Sequence, residues 1–160
     1  MFTKLVKLIL KKNIVIEIIA KEKKQVNTTG FKSLARKGTP ADIKAIVTLG
    51  TLDDLKVGIE ELVIAGTPSQ IKAGIKILVK KGTPDQIKAG MKILVREGTF
   101  NQIKAGIEGL VESGNFDKIK AGIKVLFREG TLDQIKAGIK VLFREGTLDH
   151  IKSGIEGLVT

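Results

Sequence analysis

Apolar residues recur along most of the chain in a pattern that repeats every 16 residues from Gly50 onward. In the third unit, the apolar positions are Ile87, Met91, Leu94 and Val95. Spacings of four, seven and eight residues place such side chains on one face of an α-helix. Each unit therefore predicts one helix of about three turns, which is too short to be stable alone and has to stack on its neighbours.

Polar and glycine positions predict where each helix begins and ends. Thr83 is suited to the N-cap, Pro84 to the first helical position, and Gln86 to a capping box with Thr83. Gly98 is predicted to end the same helix as a left-handed C′ residue. The typical unit begins with the string GTPDQI or GTLDQI, and the seven units begin at Gly50, Gly66, Gly82, Gly98, Gly114, Gly130 and Gly146.

A second glycine lies in the middle of every predicted helix, where glycine costs about 1 kcal/mol relative to alanine. Close approach of neighbouring helices at this position would offset the cost, and a ligand lying against the glycine backbone is the alternative explanation. The column consists of Gly58, Gly74, Gly90, Gly106, Gly122, Gly138 and Gly154.

The repeat predicts an all-α fold, a right-handed α-solenoid of short helices at a 16-residue period. The helical repeat domain spans residues 38–160, with a short repeat at 38–49 followed by seven 16-residue repeats over 50–160. Residues 1–37 form a basic N-terminal segment, interpreted as a degenerate cap that belongs to the same structural unit. Residues 1–27 lack the repeat, and their apolar runs fit a helix or a hairpin equally well.

The helix openings, such as the string TPDQI over 83–87, resemble those of the repeats of transcription activator-like effectors. The resemblance covers five to eight residues of each unit and consists mostly of capping chemistry. It implies an α-solenoid, a class that also includes HEAT and armadillo repeats. The paired residues that read bases in that family have no recognisable counterpart in this sequence, so no base-reading residue is implied.

Composition argues against catalysis. The chain has no Cys, which excludes thiolate chemistry, and its single His, His150, argues against a His-based metal site or a catalytic triad. We therefore expect no enzyme activity and no cofactor. The four phenylalanines of the repeats occupy apolar positions and are predicted to lie in the core, which would leave few aromatic rings for stacking on bases: Phe100, Phe116, Phe127 and Phe143.

The formal net charge of +11 is concentrated at the N-terminus. Residues 1–37 carry ten Lys/Arg and two Glu, a net charge of +8, whereas residues 38–160 carry +3. A basic block of this kind indicates an anionic partner, and its candidate binding residues are Lys11, Lys12, Lys23 and Lys24. Neither apolar run near the N-terminus reaches the ~20 residues that span a bilayer, and we expect a cytoplasmic protein.

Within the repeats, positions 7, 11 and 15 of four units carry only Lys or Arg, and this spacing places the three on one helical face. If consecutive helices stack side by side, these rows form basic patches over residues 66–97 (net +5) and 114–145 (net +3). The candidate residues for an anionic partner are Lys72, Lys76, Lys80, Lys88, Lys92, Arg96, Lys120, Lys124, Arg128, Lys136, Lys140 and Arg144.

The remaining units carry Glu60, Glu108 and Glu156 at position 11, so an acidic unit recurs every third helix. This period indicates either the duplication of a 48-residue ancestor or a superhelix in which every third helix faces a different environment.

The resulting hypothesis is a non-catalytic helical-repeat protein that binds RNA or DNA without sequence preference, or a nucleoprotein, through its Lys/Arg rows. The alternative is a protein-binding solenoid or small inhibitor, encoded by a virus or a mobile element, that docks on an acidic protein. The sequence does not separate these two hypotheses, and it leaves the oligomeric state open.

Overall fold

The computed structural model describes residues 40–159, and these form helices and no strands, which confirms the all-α prediction. The N-terminal segment, with Lys11, Lys12, Lys23 and Lys24, lies outside the described residues. The eight helices are α1 (Pro40–Leu49), α2 (Leu52–Ala65), α3 (Pro68–Lys81), α4 (Pro84–Glu97), α5 (Phe100–Ser113), α6 (Phe116–Glu129), α7 (Leu132–Glu145) and α8 (Leu148–Val159). None of these eight helices is long and apolar enough to cross a membrane.

The helix starts follow the predicted capping chemistry. The backbone N–H of Gln70 donates to Thr67 Oγ1 at 3.3 Å, and the backbone N–H of Thr67 donates to Gln70 Oε1 at 2.8 Å. Equivalent boxes join Thr51 with Asp54 and Thr83 with Gln86. Each box satisfies N–H groups that have no partner within the helix, which explains why every helix begins just after the unit's second residue.

The helix ends differ from the prediction, because the capping glycines are not left-handed. Gly98 has φ −77° and ψ 156°, an extended conformation that any residue can adopt. Its N–H still donates to the carbonyl of Leu94 at 2.8 Å, and a Cβ on Gly98 would lie 2.5 Å from that carbonyl oxygen. Glycine is needed at the helix end because of this close backbone approach, and not because of a positive φ.

Each helix packs chiefly against the helix two places before or after it, and much less against its immediate neighbours in sequence. The odd-numbered helices α1, α3, α5 and α7 therefore form one column, and the even-numbered helices form a second column beside it. Because successive helices alternate between the two columns, the packing partner of each helix is two places away along the chain.

The mid-helix glycines lie between the two columns. A Cβ on Gly90 of α4 would be 2.5 Å from Cδ2 of Leu78, which belongs to α3. The equivalent glycines from Gly74 to Gly154 each face the leucine of the preceding helix in the same way. Close packing therefore explains this column, and leucine side chains fill the space that a ligand on the glycine backbone would need.

Contacts also reach the helix three places along. The amide of Gln102 in α5 donates to the carbonyls of Val63 (2.9 Å) and Gly66 (2.8 Å) at the end of α2. Likewise, Lys118 Nζ in α6 donates to the carbonyl of Val79 in α3 at 2.5 Å. The last turns of α2 and α3 thus lie against the helix three places later, which supplies donors for carbonyls that the helix itself leaves unpaired.

The predicted core position of the phenylalanines is wrong. Phe127 and Phe143 are 49% and 57% exposed, although Val79, Val95 and Val111 are buried at the same position of earlier units. The covering helix for α6 or α7 would be three places later, and the described residues contain none. Phe100 and Phe116, 49% and 36% exposed, are the first residues of their helices and protrude from the surface.

Candidate functional site

The Lys/Arg rows do not form the two patches expected from their order in the sequence. The row of α3 was expected beside that of α4, but α3 packs on α5, while α4 packs on α6. Consecutive rows consequently belong to different columns, and the residue that faces each lysine has to be sought two helices away.

Acidic residues two helices away neutralise two of the three residues in the row of α3. Lys72 Nζ in α3 lies 2.7 Å from Glu112 Oε1 and 3.7 Å from Glu108 Oε2, both in α5. Lys76 Nζ lies 3.1 Å from Glu112 Oε2. Position 7 of a helix therefore faces positions 11 and 15 of the helix two places later, which gives the register of the column.

Glycine allows this paired junction to close. A Cβ on Gly109 of α5 would lie 2.8 Å from the backbone oxygen of Lys72, so only glycine permits the observed distance between α3 and α5. The junction of α6 with α8 repeats the arrangement, because Gly157 has the same relation to the oxygen of Lys120, and Lys120 Nζ lies 3.7 Å from Glu156. An adjacent Glu and Gly at positions 11 and 12 thus mark a closed junction.

The carboxyl of Glu112 has a perturbed pKa. The hydrogen bond with Lys72, reinforced by the one with Lys76, lowers the pKa of Glu112 against the opposing effect of desolvation, and the same hydrogen bond raises the pKa of Lys72. A carboxyl with a lowered folded-state pKa stabilises the fold above its unfolded pKa, and this stabilisation disappears as the pH falls through the folded pKa.

We expect Glu112→Gln to lower the free energy of unfolding by about 0.5–1 kcal/mol at pH 7, a typical value for a partly exposed pair. The difference from the parent should shrink as the pH falls below the ordinary glutamate pKa of 4.5. Guanidinium denaturation at pH 7 and at acid pH measures both quantities. Glu97→Gln, which makes the same change at an exposed residue, is the control. An equal loss at both pH values would contradict the ion-pair explanation.

The junction of α5 with α7 is open and basic. A groove of about 460 Å³ lies between the two helices, with Phe100 and Lys104 on α5 and Asp133, Lys136, Lys140 and Arg144 on α7. In the same register, position 7 of α5 faces a lysine and an arginine at positions 11 and 15 of α7, whereas position 7 of α3 faces two glutamates of α5. Val141 replaces the glycine at position 12, so the helices stay apart and the groove remains open.

The cationic residues of this groove differ in whether a carboxylate is paired with them. Among the described residues, Lys104, Lys136 and Lys140 have no ion-pair partner, whereas Arg144 is held by Glu145 at 2.7 Å and by Glu108 at 3.2 Å. The hydrogen bond with Glu145 is the main reason that the pKa of Arg144 is raised. Three lysines around an aromatic ring are consequently available to an anionic ligand.

A second open groove, of about 300 Å³, lies on the even-numbered column between α2, α4 and α6. Its cationic residues are Lys56 of α2, Lys88 and Lys92 of α4, and Arg128 of α6, with Glu129 as the acidic residue at its edge. Glu129 lies 2.8 Å from Arg96 and 4.0 Å from Lys92, which leaves Lys88 and Arg128 without an ion-pair partner among the described residues.

The structure separates the twelve candidate residues of the repeats into three groups. The closed junctions contain Lys72, Lys76, Lys120 and Lys124; the grooves contain Lys88, Lys92, Arg128, Lys136, Lys140 and Arg144; and outside both lie Lys80 and Arg96. Three further groove residues were not predicted from the sequence: Lys56, Lys104 and Phe100. The two lysines could have been predicted as members of the basic surface, because position 7 is Lys in all seven units.

Residues 40–159 contain no cluster of three or more His, Asp or Glu residues that could hold a metal ion. Comparison of the chain with protein-family models, with curated proteins and with solved structures finds no match.

Proposed function

We propose that this protein is a non-catalytic, right-handed α-solenoid that binds nucleic acid, RNA or DNA, through its open basic grooves. A cytoplasmic location is part of this proposal. The stacking of each helix on the helix two places before it supports the solenoid. The observation that carries the function is the groove between α5 and α7, where Lys104, Lys136 and Lys140 face open space without carboxylate partners.

The chemistry of the groove fits a phosphate backbone. Lys136 and Lys140 are one turn apart on α7, about 6 Å along the axis, and Lys104 faces them from α5. Lysine ammonium groups act as point charges without the planar fork that arginine uses on guanine edges. Binding through them is therefore expected to depend on charge and salt, and little on sequence.

The exposed ring of Phe100 favours a single strand over a duplex. It lines the groove at 49% exposure, and an aromatic face can stack on an unpaired base but not on a base within a duplex. We therefore expect single-stranded RNA or DNA to bind more tightly than duplex DNA of the same length, and Phe100→Ala to reduce that difference.

Fluorescence anisotropy with labelled 20-nucleotide RNA and DNA, over a series of salt concentrations, tests the proposal. The variant Lys136→Ala/Lys140→Ala should weaken binding and reduce the slope of log K against log salt by about 1.4, since each lost phosphate contact on a single strand is worth about 0.7. The control Lys81→Ala/Lys152→Ala removes the same charge from exposed residues outside both grooves and should leave the slope unchanged. Absence of binding by the parent at low salt would refute the proposal and favour docking on an acidic protein.

A further inference from the structure

The two open grooves lie on different columns. The groove described under the proposed function belongs to α5 and α7, which are odd-numbered, and the second belongs to α2, α4 and α6. Each groove contains four cationic residues and one acidic residue among those that line it. The two grooves thus carry the same balance of charges, although Phe100 gives an aromatic ring to the first alone. Their relative direction decides whether they form one surface or two.

The contacts of the mid-helix glycines show on which face of the stack each groove lies. Gly90 of α4 faces Leu78 in the odd column, and Gly138 of α7 faces Leu126 in the even column. Two residues correspond to a rotation of about 200° around an α-helix. Lys92 and Lys140, each two residues after its glycine, therefore point away from the opposite column, and the grooves lie on opposite faces of the two-layer stack.

Carboxylates bound each groove along its own face. On the odd face, Glu108 and Glu112 occupy the closed junction of α3 with α5, and on the even face Glu156 occupies that of α6 with α8. A strand that continued past either groove on that side would meet lysines that are already paired with carboxylates, namely Lys72 and Lys76 on the odd face and Lys120 on the even face. The unpaired positive charge of each groove therefore ends at its closed junction, and a single strand that filled both grooves would have to pass around the edge of the stack.

From this geometry we propose that the protein is bivalent. Its two grooves hold two separate nucleic-acid segments on opposite faces, so that one molecule bridges them across two helix layers, roughly 20 Å. This inference rests on the proposed function, because it assumes that the grooves bind nucleic acid. It adds that the protein is a cross-linker of strands, whereas a one-sided solenoid would hold a single strand.

Energy transfer between two oligonucleotides tests the bridge. Equal amounts of donor-labelled and acceptor-labelled dT20 are titrated with the full-length chain at low salt. Energy transfer should rise to a maximum near one protein per two oligonucleotides and fall again in protein excess, because excess protein separates the strands onto different molecules. Sedimentation of the protein alone, run in parallel, identifies bridging that arises from self-association.

Single-groove variants distinguish this inference from the proposed function. Lys136→Ala/Lys140→Ala and Lys88→Ala/Lys92→Ala should each still bind dT20 through the remaining groove, with weaker overall affinity and half the parental stoichiometry, but lose the energy transfer. Lys81→Ala/Lys152→Ala should keep both the parental binding and the energy transfer. Binding by the parent at one oligonucleotide per protein without energy transfer would overturn bivalency alone. Full energy transfer by a single-groove variant, or by a self-associated protein, would also overturn it. Absence of any binding would overturn the proposed function as well.

Discussion

Gly90→Leu is expected to lower the free energy of unfolding by about 3 kcal/mol or more, at the upper end of the range for overpacked cores. A Cβ added at position 90 would lie 2.5 Å from Leu78 Cδ2, and the rest of a leucine side chain would enter space that Leu78 and Ile59 fill. The gain in helix propensity, about 0.8 kcal/mol, is too small to offset this clash. Guanidinium denaturation followed by circular dichroism measures the loss.

Two further variants separate overpacking from other causes. Lys92→Ala, on the outer face of the same helix, should change the free energy of unfolding by no more than about 0.5 kcal/mol. Leu78→Ala alone should cost about 2–5 kcal/mol, but combined with Gly90→Leu it should cost less than the sum, because the new side chain occupies the vacated space. A Gly90→Leu protein as stable as the parent would show that the columns are not closely packed at this position.

Gly109→Val is expected to cost about 1–3 kcal/mol and to open the junction of α3 with α5. Its Cβ would lie 2.8 Å from the backbone oxygen of Lys72, and a backbone atom, unlike a side-chain terminus, cannot move aside without shifting its helix. The loss should exceed that of Glu112→Gln, since separation of the helices weakens the ion pairs of Lys72 and Lys76 together with the backbone packing.

Hydrogen exchange locates the effect of this substitution. Protection of amides in α3 and α5 should fall in Gly109→Val, while amides in α6 and α8, at the other closed junction, should change little. Glu108→Gln, which leaves the glycine in place, should reproduce only a small part of the loss. If Gly109→Val retained the parental stability and protection, glycine at position 12 would not be what closes the junction.

Local features were predictable from the sequence because they depend on residues within one unit. The capping pair of Thr83 and Gln86 and the helical spacing from Ile87 to Val95 are determined within about twelve residues, and the structure agrees with both. Close packing at the mid-helix glycines was also predictable, because the loss of helix propensity in every unit requires a contact that compensates for it.

The arrangement of the site was not predictable, since it depends on which helices become neighbours. The sequence shows Lys72 and Glu112 40 residues apart, and nothing in the unit itself indicates that helices two places apart, and not consecutive ones, share a face. The exposure of Phe127 has the same origin: the unit predicts a buried position, but the helix three places later that would cover it is not among those described.

Because each 16-residue unit forms one helix and successive helices alternate between the columns, the number of units that precede a helix decides the column in which it lies. Residues 119–130 and 135–146 are identical in sequence, yet they lie in opposite columns, so one helix sequence serves both layers. Insertion or loss of a single unit would therefore transfer every later helix to the other layer without a new packing solution, and it would exchange the faces on which their cationic residues lie. Gain or loss of two units would preserve those faces. A change in unit number is thus a simple way to reverse the face on which the cationic residues lie.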